Sequence, residues 1–253
     1  MFSRTENFYT FRKNYPIITI IIAIHLIIFL WINLLPGGEW IRFRGVGFNL
    51  GVELGEYWRL VTPIFMHVSL THLLFNSASL VIFGPPLEQM LGKAKFILLY
   101  LSSGILANIA TFFIGGLDYP PHLGASGAIF GIFGAYFFIA LLRKDLIDRN
   151  NSQLILMIFI AGIVMTFVNS NINIYAHIFG AIAGAAVIPL LLNGVKPFYR
   201  PINMVQQKDP DEIQFNPNRW NNKKFSNSQL KIGKIFWIAF GVIVLIGLLS
   251  RFV

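Results

Sequence analysis

The sequence predicts an all-α membrane protein that crosses the bilayer several times, and three observations predict it. Hydrophobic residues make up 55% of the 253 residues and charged residues only 12%, with a mean hydropathy of +0.65. A soluble domain carries about 25% charged residues. Apolar runs near the roughly 20 residues needed to span a bilayer recur along the chain. The positive charges also fall mostly on one side of those runs. The expected architecture is a bundle of six helices with a seventh appended at the C-terminal end. With no Cys, the chain has no disulfide, no thiolate chemistry and no Cys-ligated metal.

Taken in order, the apolar runs are 16–35, 60–83, 96–114, 126–142, 154–168, 175–192 and 235–249. The first has no small-residue cleavage site after it and reads as a retained anchor. Glycines interrupt the fourth, and the fifth is short. Between the first two lies a loop, GGEWIRFRGVGFNLGVELGEY, whose aromatic residues suit the membrane interface. The polar stretch after the sixth run contains DPDE and many Asn. The implied division is a cytoplasmic N-terminus at 1–15, a six-helix core at 16–192, a cytoplasmic linker at 193–234 and a seventh helix at 235–253.

With the N-terminus inside, sixteen of the twenty Lys and Arg are cytoplasmic, eight of them in the stretch from Lys196 to Lys234. Only Arg42, Arg44, Arg59 and Arg251 lie outside. This asymmetry orients the chain N-terminus in and C-terminus out. It also accounts for the net charge of +9 without a nucleic-acid partner. The basic linker then reads as a solvated stretch facing lipid headgroups.

Polar groups inside a bilayer are costly, so each needs a reason. The second run holds His67, His72 and Asn76. The fourth begins Gly124-Ala125-Ser126-Gly127, and the sixth begins Ala176-His177. All three runs go from outside to inside. Gly127, Gly131 and Gly134 share one helical face, as do His177, Gly180, Ala181 and Gly184. Small faces let membrane helices approach closely. If the two faces meet, Ser126 and His177 come together at their outer end. A hydroxyl beside an imidazole is the nucleophile-and-base pair of acyl transfer. Backbone N–H groups at the start of the fourth helix, with His72 and Asn76 four residues apart, offer donors to an oxyanion. No acid falls near the sixth run on the outer side, so a dyad is expected, with Phe130 stacked on His177.

These motifs resemble those of the rhomboid intramembrane serine proteases. The GxSGxxxG pattern matches Gly124 to Gly131. The AHxxGxxxG pattern matches Ala176, His177, Gly180 and Gly184, and HxxxN matches His72 and Asn76, preceded by His67. Trp58-Arg59, and Gly84 with Glu88, are similar to further family pairs. The resemblance runs from about Trp40 to Leu192. It implies a rhomboid-like six-helix bundle with an additional C-terminal transmembrane helix. It also implies peptide-bond hydrolysis by Ser126 and His177, with an oxyanion site from the Ser126 N–H, His72 and Asn76. Gly124, Gly127, Phe130 and His67 would support them. It implies no cofactor and no metal, single-span membrane proteins as substrates, and a bacterial plasma membrane as the setting. Bacterial members commonly carry Tyr where this chain has Phe130.

Two other readings compete. A His-based metal transporter or metalloprotease would use His67, His72 and His177. A catalytically silent relative would only bind membrane helices. Outside the motifs, His25 reads as structural, His122 as a solvated or interfacial loop residue, and Arg59 with Trp58 as an interfacial anchor. Glu88 reads as a cap or ion-pair partner at the cytoplasmic end of its helix.

Overall fold

The computed structural model describes Phe2, residues 6–168 and residues 172–198. The expected seventh helix and the linker beyond residue 198 lie outside the described residues.

Among the described residues nine α-helices follow one another: α1 (Phe8–Asn14), α2 (Pro16–Leu34), α3 (Gly38–Gly45), α4 (Asn49–Glu53), α5 (Leu70–Leu91), α6 (Lys93–Gly115), α7 (Ser126–Leu142), α8 (Arg149–Val168) and α9 (Ile174–Leu191). Five of them, α2, α5, α6, α8 and α9, are long and apolar enough to cross a membrane. Helix α7 is apolar but has 17 residues. At 1.5 Å per residue it extends about 26 Å, less than a hydrocarbon core of about 30 Å. The chain is therefore an all-α, multi-pass membrane protein.

The centre of the bundle is α6, α7 and α9, packed on one another, with α5 against α2, α6 and α7. Most of α7 is buried, including Ile132, Tyr136 and Ile139. Helix α8 packs on α7 and α9 and is the most peripheral of the long helices. Only 11% of its spanning window is buried, against 44% for α9.

Glycine explains how α7 and α9 come so close. A Cβ on Gly180 would overlap the carbonyl of Gly127, and one on Gly184 would overlap that of Gly131. A Cβ on Gly134 would likewise strike the Ala181 carbonyl. The two small faces read from the sequence are thus one backbone-to-backbone contact.

Several expectations need correction. The second spanning helix starts at Leu70, not near residue 60, and ends at Leu91. The residues before it form two 3-10 turns, Tyr57–Leu60 and Thr62–Phe65, followed by a short extended stretch that contains His67. Ile64 packs against Gly104 of α6, whereas Tyr57, Trp58 and Val61 are exposed. The Ser69 side chain caps α5 by accepting from the His72 N–H at 3.2 Å. His72 and Asn76 therefore sit in its first two turns. The fifth spanning helix is longer than the run suggested, beginning at Arg149.

Glu88 does cap a helix, but not its own. Its carboxylate accepts from the Ile17 and Ile18 N–H groups at 2.9 and 3.0 Å, at the N-terminus of α2. It is 3% exposed, so both charge and orphan donors are satisfied inside the protein. Arg59 is not an interfacial anchor. It is 3% exposed and ties the outer loop together. Its Nη1 donates to the Phe43 and Val46 carbonyls, both at 2.9 Å, and its Nε pairs with Glu56 at 2.5 Å. Trp58 is the half-exposed member of the pair, bonded through Nε1 to the Arg44 carbonyl at 3.0 Å.

Candidate active site

Helix α7 begins at Ser126, and the first bond of its ladder runs from the Ile129 N–H to the Ala125 carbonyl at 3.0 Å. The N–H groups of Ser126, Gly127 and Ala128 therefore precede the ladder, and no side chain caps them. Just before them, Gly124 has φ of 141°, a conformation that favours glycine. Its N–H bonds the Pro63 carbonyl at 2.9 Å. A Cβ at this position would stand 2.7 Å from His72 Cε1, 2.8 Å from His72 Nε2 and 3.8 Å from Ser126 Oγ. The missing side chain is what lets the His72 imidazole and the Ser126 hydroxyl share one small space.

Helix α9 is anchored by Asn173. Its Oδ1 accepts from the Ala176 N–H at 2.9 Å and from the Tyr119 hydroxyl at 3.1 Å. Its Nδ2 donates to Thr111 Oγ1 at 3.1 Å. This three-way bond locates the first turn of α9, and with it His177. A Cβ on Gly127 would stand 3.4 Å from the Ala176 carbonyl, so the residue after Ser126 meets the residue before His177.

The His177 ring is 8% exposed and stacked on Phe130, with centroids 4.0 Å apart and planes 19° apart. This is the contact expected from the sequence. The hydroxyl of Thr166 lies 2.8 Å from His177 Nδ1, and Thr166 is fully buried. Sequence reasoning missed Thr166: it sits on another helix, and no spacing rule links it to His177.

Asn76 is 6% exposed and spends one amide hydrogen on the His72 carbonyl at 3.1 Å. Its other amide hydrogen remains for a second acceptor. His67 is 2% exposed and lies edge-on between two other imidazoles, with centroids 5.1 Å from His72 and 4.7 Å from His25. His25 completes the row, its Nε2 3.4 Å from the Tyr100 hydroxyl. The lone histidine of the first helix is thus part of a cluster, which only the packing of α2 against the 3-10 turns reveals. Among the described residues no group of three or more His, Asp or Glu is arranged to hold a metal ion.

His122 departs from expectation. Its backbone pairs in both directions with Gly47, at 2.8 and 2.9 Å. Its ring lies on Gly47 and its two nitrogens are shielded from solvent. Burial pushes the imidazole down to about 4, so it is neutral at pH 7. It is a clasp between two loops.

Residues 54–194 match the Rhomboid domain family. YdcA of Bacillus subtilis (strain 168), which bears the name of a rhomboid protease, is 50% identical over 186 residues, covering 73% of this chain and 92% of YdcA. The rhomboid protease GluP of the same organism is 35% identical over 178 residues, 69% of this chain but 34% of GluP. Rhomboid-like protease 2 of Toxoplasma gondii is 30% identical over 139 residues, or 53% of this chain and 48% of that protein. With the apolar helices in place and the sequence match spanning α5 to α9, the chain belongs to the rhomboid family of intramembrane proteases, which act on membrane-protein substrates.

Proposed function

We propose that this protease is a serine endopeptidase that works by a Ser126–His177 dyad. The carrying observation is the convergence of the two helix starts, with Gly127 on Ala176 and the His177 ring stacked on Phe130. Ser126 Oγ attacks the scissile carbonyl carbon while His177 Nε2 takes its proton. The carbonyl oxygen becomes an oxyanion and accepts from the Ser126 N–H, His72 and Asn76. Removing one such donor in a soluble protease costs about 3 to 4 kcal/mol. His177 then returns the proton to the leaving amine. Water, activated by the same imidazole, hydrolyses the acyl-enzyme and frees Ser126.

The substrates of this reading are single-span membrane proteins whose helix unwinds near the cleaved bond. An intact helix shields its peptide carbonyls, so unwinding precedes attack. The setting is a bacterial plasma membrane, with the N-terminus cytoplasmic as the charge asymmetry requires. The activity resides in the core at 16–192, followed by a cytoplasmic linker and a seventh span that ends outside.

The test uses the full chain in lipid bilayers with a single-span model substrate. Ser126→Ala and His177→Ala each abolish cleavage while the thermal transition stays within a few degrees of the parent. Labelling of Ser126 by a fluorophosphonate probe separates an active dyad from a silent helix-binding relative. Cleavage by the Ser126→Ala protein at the parental rate would remove Ser126 from the mechanism.

A further inference from the structure

We propose that Thr166 is the third member of this site, a positioning residue that fixes which nitrogen of His177 carries the proton. The inference rests on the dyad reading above and extends it to α8.

A hydroxyl has a single hydrogen to donate and two lone pairs to accept with. Thr166 Oγ1 donates to the carbonyl of Gly162, one turn back, at 2.8 Å. Its hydrogen is thereby engaged. Toward His177 Nδ1, also at 2.8 Å, the oxygen has only lone pairs left. A short contact between them requires that Nδ1 bear the hydrogen. In a neutral imidazole Nε2 is then unprotonated and free to take the proton of Ser126. The opposite tautomer, with hydrogen on Nε2, could not act as the base. When Nε2 is protonated in the course of attack, the Nδ1–H still finds its acceptor, so no new partner has to be recruited.

The surroundings leave Thr166 little choice. It is fully buried, as a β-branched residue whose side-chain torsion is restricted in a helix. Gly162 lies on the same face of α8, and a Cβ there would stand 3.2 Å from Phe130 Cζ. One turn of α8 therefore touches both rings of the stack, Gly162 at Phe130 and Thr166 at His177. Phe130 covers one face of the imidazole and Thr166 holds its Nδ1 edge. Because α8 is the most peripheral long helix, the orientation of the base depends on α8 being docked.

The test uses the full chain in lipid nanodiscs. With 15N-labelled histidine, His177 resonances are identified by their loss in His177→Ala. The expected signature in the parent is a protonated Nδ1 and an unprotonated Nε2. Thr166→Val keeps the shape and removes the oxygen. It should mix the tautomers and lower kcat by about ten- to a hundredfold with little change in KM, a part of the roughly 10² to 10⁴ that a positioned acid–base group contributes. Thr166→Ser should retain the parental tautomer and most of kcat. A protonated Nε2 in the parent overturns the proposal. So does parental kcat in a folded Thr166→Val protein. If Thr166→Val does not fold, the parental tautomer and the Thr166→Ser protein decide. Loss of activity in Ser126→Ala with an unchanged Thr166→Val sinks this inference alone, whereas an active Ser126→Ala sinks the dyad beneath it.

Discussion

Phe130 and His177, from neighbouring helices, lie face to face at 4.0 Å with their planes 19° apart. Phe130 sits one turn after Ser126, so the stack ties the imidazole to the helix that carries the hydroxyl. An aromatic pair contributes about 1 kcal/mol beyond its buried area. Phe130→Leu, which keeps most of the buried volume but loses the ring face, should therefore reduce cleavage much more than it reduces stability, because the imidazole it frees is the proposed base. Turnover and the thermal transition, measured on the same preparation, check this. Phe130→Tyr keeps the stack and should stay active.

The backbone contact between α7 and α9 tolerates no side chain. Gly180→Ala would drive a methyl group into the Gly127 carbonyl. Overpacking of this kind costs about 1 to 3 kcal/mol. The predicted result is a lower thermal transition and weaker fluorophosphonate labelling, although Ser126 and His177 are both intact. Normal labelling would mean that the helices separate without harm to the site.

Glu88 joins the end of α5 to the start of α2 through two charge-assisted bonds. Glu88→Gln replaces one accepting oxygen by an NH2 group facing an N–H donor. A buried donor left unpaired costs about 1 to 3 kcal/mol. The expectation is a loss of that size in detergent unfolding, with KM for substrate little altered, since Glu88 belongs to the α2 junction and not to the proposed dyad.

His122 makes the loop junction acid-sensitive. Its imidazole falls from the ordinary 6.5 to about 4 on burial. Between these values the unfolded chain binds a proton that the folded chain refuses, so stability declines as pH drops from 6.5 toward 4. Below 4 both states are protonated and this contribution is constant. The His122→Gln protein should show a smaller fall in melting temperature between pH 7 and pH 4.5 than the parent. An equal fall in both proteins would refute it.

Hydropathy and helical spacing are local properties, and what depends on them could be read from the residues. The apolar runs, the facing glycines of α7 and α9 and the placement of Phe130 over His177 belong to this class. The start of α5 does not: the apolar run from residue 60 belongs partly to 3-10 turns, where Ile64 packs on Gly104 of α6, and hydropathy alone does not tell such turns from a helix. Ser69, a capping residue three before His72, was the available signal for that boundary. Thr166, the His25–His67 contact and the reach of Glu88 to Ile17 join residues that are 11, 42 and 71 positions apart on different segments. No periodicity connects such residues. Their partners are decided by which helices pack side by side, and that is a property of the assembled bundle, where burying each polar group demands a partner that its own segment does not supply.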